Sequence, residues 1–196
     1  MNAIIWTVIG FFLGAIPFSV LLGRLLYGKD IRQVGDGNPG GTNVLRAGNS
    51  KAAGALAIGL DTLKAAIPVA LAHYVSGVRG WPLVPVLLAP IVGHAFSPFL
   101  RGRGGKAVAS TWGAWSALTV PFGPAVMALG LLALYKLVDA SGWAVMGAMV
   151  VLLLFLAALG LTWPLAAAWA LNVALLAWKH RDELAHRPGL RRGTRG

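Results

Sequence analysis

The sequence lacks cysteine and is poor in acidic residues. None of its 196 residues is Cys, and only 6 are Asp or Glu against 17 Lys or Arg, which gives a formal net charge of +11. Without cysteine the chain can form no disulfide and has no thiol nucleophile. Charged residues make up 12% of the chain and hydrophobic residues 57%, and the mean hydropathy is +0.72, values unlike those of a soluble domain.

An excess of positive charge would suggest nucleic-acid binding in a soluble protein. No nucleic-acid-binding motif accompanies the charge, so nucleic acid is not an expected partner. Membrane topology and contact with anionic lipid headgroups explain the basic residues instead.

Seven apolar stretches divide the chain. Crossing about 30 Å of hydrocarbon requires about 20 helical residues, because a helix rises about 1.5 Å per residue. Several stretches are shorter, and the fourth reaches this length only with residues from its flanks. We predict an all-α polytopic membrane protein with seven transmembrane helices, forming a single domain over residues 1–196. The stretches comprise residues 3–22, 52–75, 81–100, 107–119, 121–138, 143–161 and 162–178.

The basic residues predict the orientation. All but two of the 17 Lys and Arg residues lie in alternate connections and in the C-terminal tail; the exceptions are Lys64, within the second stretch, and Arg79, on the opposite side. Cytoplasmic connections of membrane proteins are enriched in Lys and Arg. The tail is therefore predicted to be cytoplasmic and the N-terminus to lie outside. No basic region precedes the first stretch, so we expect no signal peptide.

The first inner connection, residues 28–51, is rich in glycine. Glycine permits positive φ angles and close backbone approach, so several nearby glycines can form a nest of amide N–H groups that binds an anion. An Arg beside such a nest suits a phosphate, although a plain Gly-rich turn is the alternative. The candidates are Gly35, Gly37, Gly40 and Gly41 for the nest, and Thr42, Asn43 and Arg46 for side-chain donors.

The second inner connection combines glycines with basic residues immediately before an apolar stretch. Backbone N–H groups and the dipole at a helix start favour an anion, and Lys106 adds a full charge. The segment is not a Walker A loop, because Leu100 stands where its first glycine is required and Ala107 stands where Ser or Thr would hold magnesium. The residues concerned are Arg101, Gly102, Arg103, Gly104, Gly105 and Lys106.

Ionisable side chains also occur inside apolar stretches. Asp61 and Lys64 are three residues apart, so they share one face of a helix. Charges in a membrane are costly unless they pair or face a polar interior, so this pair either supports a functional site or simply neutralises itself. His94, near the inner end of the third stretch, could be a base, a phosphate donor or a buried hydrogen-bonding group.

Several motifs together resemble one enzyme family. They are GAIPFSVLLGRLLYGKDIRQVGDGNPGGTNVLR, then DTLK, then GHAFSPFLRGRGGKAVA, and finally KHRDEL in the tail. In this order, and over most of the chain, they resemble the acyl-phosphate-dependent glycerol-3-phosphate acyltransferases of bacterial membranes. The resemblance implies an integral membrane enzyme of phospholipid biosynthesis, in the cell membrane, whose site faces the cytoplasm. Such an enzyme transfers a fatty acyl group from acyl phosphate to glycerol 3-phosphate and forms lysophosphatidic acid and phosphate.

The resemblance also implies site residues and partners. We expect no metal, nucleotide or other cofactor; the partners are the two substrates and membrane lipids. The implied catalytic residues are His94, Lys106 and His180, and the implied supporting residues are Asp61, Lys64, Ser141 and Glu183. The implied phosphate-binding residues are Gly35, Asp36, Gly37, Asn38, Gly40, Thr42, Asn43, Arg46, Gly104, Gly105 and Lys106.

Two acidic residues depart from the family pattern. Asp36 stands where the family has Ser, and Glu183 stands where it has Asn; a further Ser of the family aligns with Asp139 or Ser141. A carboxylate near a phosphate opposes its binding. The neutral departures are Ala15 for a Ser, and Ala65 and Ala107 for Gly residues.

The sequence alone leaves three functional hypotheses. The first is acyl transfer to glycerol 3-phosphate. The second is a divergent relative that has another acceptor or only binds lipid, and the position of Asp36 and Glu183 relative to the anion site separates it from the first. The third is a small transporter or channel, for which broken helices and charges at the membrane midplane are expected.

Overall fold

The computed structural model describes residues 2–120, 122–138 and 141–189. The secondary-structure elements of these residues are helices, which confirms the predicted all-α class. Two 3₁₀ turns lie at Ile31–Gln33 and Pro98–Leu100, and a π-helical segment lies at Leu71–Val75. The α-helices are α1 Ala3–Ala15, α2 Phe18–Tyr27, α3 Gly41–Gly48, α4 Lys51–Ala70, α5 Leu83–Ala95, α6 Val108–Thr119, α7 Phe122–Leu137, α8 Ser141–Ala158, α9 Trp163–Lys179 and α10 Arg181–Leu184.

Each of the seven apolar stretches contains a helix. Among the described residues, four segments are long and apolar enough to cross a membrane. Helices α6, α7 and α9, with 12, 16 and 17 residues, are shorter than the roughly 20 residues of a full crossing. The count of seven crossings therefore stays a prediction. The four long segments are Ala3–Tyr27, Lys51–Val75, Leu83–Leu100 and Ser141–Ala158.

Large apolar side chains cover much of the surface, whereas the charged side chains of Asp61 and Lys64 lie inside. Leu25 is 81% exposed, Val75 75% and Phe122 70%, while Asp61 and Lys64 are buried. Soluble monomers rarely expose such extensive apolar surface. In a lipid bilayer the same distribution is favourable, because acyl chains contact the outward apolar groups and the protein interior supplies partners for the charges.

The chain forms two compact units. The first extends to Leu118 and the second starts at Thr119. The first contains α1 to α5 and nearly all of α6, together with both glycine-rich connections; the second contains α7 to α10. The single domain predicted over residues 1–196 stays a prediction.

Helices α1 and α5 of the first unit cross closely because glycines lie at their contact. A Cβ atom at Gly14 would overlap the backbone of Pro90, and one at Gly93 would overlap the backbone of Phe11. Small residues allow membrane helices to approach until their backbones touch. This crossing places the C-terminal end of α5 against the end of α1.

In the second unit, small residues again lie between helices. Gly147 of α8 packs against Leu134 of α7, where a Cβ atom would lie 2.8 Å from the leucine side chain. Trp169 Nε1 of α9 donates a hydrogen bond to the carbonyl oxygen of Met149 at 2.9 Å. These contacts hold α7, α8 and α9 together.

Candidate active site

Pro17 interrupts the first apolar stretch, which the sequence predicted as one continuous segment. Proline has no amide N–H and disfavours helical geometry in the residue before it, so α1 ends at Ala15. The carbonyl oxygens of Ala15 and Ile16 accept hydrogen bonds from Ser97 Oγ at 2.6 Å and Lys64 Nζ at 2.7 Å. The interruption thus provides two backbone acceptors that fix polar side chains from elsewhere in the unit.

Asp61 and Lys64 form an ion pair inside the first unit. The distance from Lys64 Nζ to Asp61 Oδ1 is 2.6 Å, and each side chain is 3% exposed. Ser19 Oγ donates to Asp61 Oδ2 at 2.7 Å, and Ser110 Oγ donates to the Asp61 carbonyl oxygen at 3.1 Å. Asp61 is thus linked to α2 through its side chain and to α6 through its backbone carbonyl.

His94 connects this buried pair with the second glycine-rich connection. Its Nδ1 lies 3.8 Å from Asp61 Oδ1, and its carbonyl oxygen accepts a hydrogen bond from the N–H of Gly105 at 3.0 Å. A Cβ atom at Gly104 would overlap that carbonyl, and one at Gly105 would overlap the imidazole ring. Both positions require glycine because the loop passes directly over His94. A small cavity lies between these groups, with Pro39 also in its wall.

Hydrogen bonds connect the polar side chains of the first glycine-rich connection. Asn43 Nδ2 donates to Asp36 Oδ1 and to the Asn38 carbonyl oxygen, both at 2.9 Å. Arg46 Nη1 donates to Asn43 Oδ1 at 3.2 Å. Gly35 has φ +60°, and a Cβ atom there would overlap the Arg46 side chain. The backbone at this turn therefore lies against two of the predicted donors.

The predicted nest glycines divide into two kinds. Gly35 and Gly37 have positive φ angles, +60° and +73°, in the left-handed region that glycine favours. Gly40 has φ −141° and is the N-cap residue of α3, and Gly41 begins that helix. Thr42 is exposed in its first turn. The left-handed geometry is therefore confined to the two glycines that flank Asp36.

An ion pair connects the two glycine-rich connections. Lys106 Nζ donates to Asp36 Oδ2 at 2.8 Å, and the two side chains are 28% and 47% exposed. Helix α6 begins at Val108, two residues after Lys106, as the sequence pattern predicts. The contact unites most of the predicted phosphate-binding residues in one group that solvent can reach.

Asp36 remains ionised at neutral pH. Burial alone would raise the pKa of this carboxyl, but hydrogen bonds from Lys106, from the Asn38 N–H and from Asn43 lower the pKa from the usual 3.8 to about 2. Asp36 thus faces the predicted anion-binding lysine as a carboxylate. The sequence predicted that a carboxylate at this place would oppose a phosphate.

Ser141, His180 and Glu183 lie together in the second unit. Ser141 Oγ donates to Glu183 Oε2, and a Cβ atom at Gly142 would lie 3.1 Å from Glu183 Cβ and 3.2 Å from His180 Cβ. His180 is buried, and its Nδ1 lies 2.9 Å from the Leu176 carbonyl oxygen. Because a carbonyl oxygen only accepts, Nδ1 carries the proton, and Nε2 of a neutral ring then carries the lone pair.

Sequence reasoning missed three serine hydroxyl groups, one of which is that of Ser110 beside the Asp61 carbonyl oxygen. Ser19 and Ser97 bind Asp61 and the Ala15 carbonyl oxygen, although neither serine was a candidate. A serine next to a proline-interrupted apolar stretch is a usable signal, because interrupted membrane helices need extra hydrogen-bond partners. A serine of the family aligns with either Asp139 or Ser141, and of these two positions Asp139 lies outside the described residues.

The donor set suits an anion. In the described part of the chain, no three His, Asp or Glu side chains come together as metal ligands would. Lys106, Arg46 and backbone amides of glycine-rich turns are instead the groups that bind phosphates and carboxylates in proteins. Fold and donor set together are those of a helical membrane protein with a candidate anion-binding group beside its helix ends.

Comparison with known proteins identifies the family. The profile of the family described as glycerol-3-phosphate acyltransferase matches residues 4–187. The chain is 39% identical to the glycerol-3-phosphate acyltransferase of Rubrobacter xylanophilus, over 99% of this chain and 94% of that protein. It is 36% identical to glycerol-3-phosphate acyltransferase 1 of Deinococcus radiodurans, over 94% of this chain and 91% of that protein.

The fold is similar to that of a solved relative. The crystal structure of PlsY (YgiH), an integral membrane glycerol 3-phosphate acyltransferase, matches in its glycerol 3-phosphate form with a TM-score of 0.85 and 31% identity, over 93% of this chain and 90% of that one. Its lysophosphatidic acid form matches with a TM-score of 0.81 and 29% identity. The chain belongs to the glycerol-3-phosphate acyltransferase family, which confirms the resemblance, and it is an acyltransferase of the membrane.

Proposed function

We propose that the chain transfers a fatty acyl group from acyl phosphate to the primary hydroxyl of glycerol 3-phosphate, forming lysophosphatidic acid and inorganic phosphate. The hydroxyl oxygen attacks the carbonyl carbon, and the bond from that carbon to the bridging phosphate oxygen breaks. The hydroxyl proton passes to the departing phosphate or to a protein base. Family membership supports the acceptor, as does the relative whose glycerol 3-phosphate and lysophosphatidic acid forms are known.

The contact between Lys106 and the first glycine-rich connection is the observation that carries the proposal. It places a cation beside Asn43 and Arg46, which belong to a hydrogen-bonded group. Both substrates are anions, and acyl phosphate is already an activated anhydride. The main task of the enzyme is therefore to hold two anions together and to orient the hydroxyl toward the carbonyl carbon.

Lys106 offsets charge on the departing phosphate. Negative charge develops on the bridging oxygen as the bond breaks, and fixed donors aimed at that oxygen lower the barrier. Arg46 and the amides of the glycine-rich turns contribute further donors. Gly104 and Gly105 allow the loop that bears Lys106 to lie against His94, whose Nδ1 lies 3.8 Å from Asp61 of the buried pair.

His180 and His94 are the candidate proton acceptors. His180 has the suitable tautomer, because its Nδ1 donates to the Leu176 carbonyl oxygen and its Nε2 carries the lone pair. In the second unit, Ser141 donates a hydrogen bond to Glu183, and Gly142 packs against both Glu183 and His180. A base is not essential to the reaction, since the departing phosphate can accept the proton itself.

The proposal includes a seven-span topology with the N-terminus outside and the site facing the cytoplasm of the cell. The distribution of Lys and Arg supports this orientation. A cytoplasmic site would receive soluble glycerol 3-phosphate directly, while the apolar spans hold the acyl chain of the donor.

The reaction is tested by incubating the purified chain with palmitoyl phosphate, with and without glycerol 3-phosphate. Released phosphate and lysophosphatidic acid are both measured, and we expect both to depend on the acceptor. Release that ignores glycerol 3-phosphate and yields no lysophosphatidic acid would contradict the acceptor. Acylation from a thioester donor but not from palmitoyl phosphate would contradict the donor.

The topology is tested with single cysteines, which the cysteine-free sequence allows without prior substitutions. Arg79→Cys and Arg103→Cys form a matched pair, because both replace an exposed arginine in a connection. In intact cells, a membrane-impermeant maleimide should label the cysteine at position 79, and it should label the one at position 103 only after the cells are broken. The reverse pattern would invert the proposed orientation.

A further inference from the structure

We propose that Asp36 lowers the affinity of the site for phosphate, as an internal counter-ion that competes with the substrate phosphate for Lys106 and Asn43. The inference rests on the phosphate-binding role of Lys106 in the proposed function. It adds that this chain binds phosphate more weakly than its donors alone would allow, because one of its own carboxylates engages them.

Each oxygen of the Asp36 carboxylate engages part of the donor set. Oδ2 accepts from Lys106 Nζ at 2.8 Å, and Oδ1 accepts from Asn43 Nδ2 at 2.9 Å and from the Asn38 N–H at 3.2 Å. A phosphate presents oxygens of the same kind to the same kinds of donor. The carboxylate therefore makes the contacts that a phosphate at this place would make.

Asp36 and Lys106 are also open to exchange. Their side chains are 47% and 28% exposed, so a solute can reach the pair without displacing a helix. The hydrogen bonds that lower the pKa of Asp36 to about 2 keep it charged throughout the physiological range. An incoming phosphate must either draw Lys106 away from Asp36 or lie beside a fixed negative charge, and each alternative weakens its binding.

We expect the weakening of phosphate binding from Asp36 and not from the other acidic residue of the first glycine-rich connection. Asp30 lies six residues earlier in the same connection, but Arg24 Nη2 and Arg32 Nη2 bind its Oδ2 at 3.1 and 2.5 Å. Its two ion-pair partners lie before and within the first connection, not in the second. Asp30→Asn therefore removes the same net charge as Asp36→Asn, and asparagine keeps the N-cap acceptor that Asp30 provides to the Arg32 N–H.

Calorimetric titration of the purified full chain in detergent with inorganic phosphate tests the proposal. We expect Asp36→Asn to bind phosphate about tenfold more tightly than the unmodified chain, mainly because Lys106 is released from its ion pair with the carboxylate. Asp30→Asn should bind as the unmodified chain does. Equal or weaker binding by Asp36→Asn would overturn the proposal, as would an equal gain in both variants. Should Asp36→Asn fail to fold, Asp36→Ser is the substitute and carries the same expectation.

A double-substitution cycle separates competition for Lys106 from a merely structural effect. In a Lys106→Ala background, Asp36→Asn should raise phosphate affinity clearly less than tenfold, because Lys106 is no longer there to be released and only the repulsion between like charges is removed. A full tenfold gain in that background would contradict the proposal. In turnover, Asp36→Asn should lower the KM for glycerol 3-phosphate or acyl phosphate more than it changes kcat.

The two proposals can fail separately. If no variant binds phosphate but lysophosphatidic acid still forms, the counter-ion role is wrong and the acyltransferase reaction stands. If phosphate binds with the expected differences but no lysophosphatidic acid forms from palmitoyl phosphate, the counter-ion role stands and the donor or acceptor assignment is wrong.

Discussion

The first unit contains two Asp–Lys ion pairs of nearly equal length in opposite surroundings. In Asp61–Lys64 the atoms are 2.6 Å apart and both side chains are 3% exposed. In Asp36–Lys106 they are 2.8 Å apart and the side chains are 47% and 28% exposed. The buried pair has fixed partners on three other segments, whereas the exposed pair joins two loops.

The difference teaches that burial, and not distance, separates a structural ion pair from an exchangeable one. A buried charge cannot lose its partner without a large desolvation penalty, so Asp61 and Lys64 are committed to each other. An exposed charge can exchange its partner for water or for a ligand at little cost. Only the exposed pair is therefore suited to bind and release an anion.

The largest effect on folding is expected from Lys64→Ala. It leaves the Asp61 carboxylate buried without its cation, and breaking a buried pair in this way costs about 3–5 kcal/mol. Thermal unfolding in detergent should show a severe loss of stability or no folded protein. Lys106→Ala is the matched control and should lose less than about 1 kcal/mol, because its pair is exposed. Similar losses in the two variants would remove the contrast between the pairs.

Lys106→Ala should have its effect on catalysis instead. Removing a group that stabilises developing charge lowers kcat by about 10²–10³-fold. Phosphate release from palmitoyl phosphate in the presence of glycerol 3-phosphate measures this directly. Lys51→Ala, which removes an equal charge from the exposed first residue of α4, should retain turnover within about twofold. Unchanged turnover in Lys106→Ala would exclude this lysine from the mechanism.

Ser19→Ala sharpens the account of the buried pair. It removes the 2.7 Å hydrogen bond to Asp61 Oδ2, and such a bond to a charged group contributes about 1.5–3 kcal/mol. Thr62→Ala is the control, because Thr62 Oγ1 donates only to the Ile58 carbonyl oxygen of its own helix. Its stability should change by less than about 0.5 kcal/mol. The denaturation midpoints of the two variants measure both losses of stability, and equal midpoints would contradict the contribution of the Ser19 hydrogen bond.

Ala107→Gly should stabilise the chain. Ala107 follows Lys106 and has φ +64°, a left-handed conformation that costs a residue with a Cβ atom about 1–2 kcal/mol. Glycine recovers part of this, and we expect a gain of about 0.5–1 kcal/mol after its greater unfolded-state entropy is subtracted. Ala65→Gly, in the interior of α4, should instead destabilise by about 1 kcal/mol. Losses in both variants would show that the strain at Ala107 is negligible.

The smallest effect concerns pH. The folded pKa of Asp36 is lowered, so the stabilisation from its pair with Lys106 is complete above the usual carboxyl pKa of 3.8 and is lost as the pH falls toward about 2. Carbon-13 NMR of aspartate-labelled protein should show one carboxyl, absent from Asp36→Asn, that titrates near pH 2. A titration of that carboxyl near pH 4 would indicate that the pair is not formed in solution.

The sequence determined the helical class, the family and most candidate site residues. Apolar stretches of the required length predict helices whatever their packing, and ordered motifs identify a family without coordinates. The pair Asp61 and Lys64 was predictable as well, since residues three apart on a helix share a face. The break at Pro17 was overlooked, although proline itself was its signal.

Only the tertiary structure decided which groups meet. Asp36 and Lys106 are 70 residues apart in sequence, and nothing local to either connection predicts a 2.8 Å contact between them. Ser19 and Ser97 became site partners for the same reason, because their acceptors lie on other segments. A one-dimensional pattern records which side chains are apolar or charged, whereas a long-range ion pair depends on how helices cross. That crossing is set here by glycines at which no Cβ atom fits.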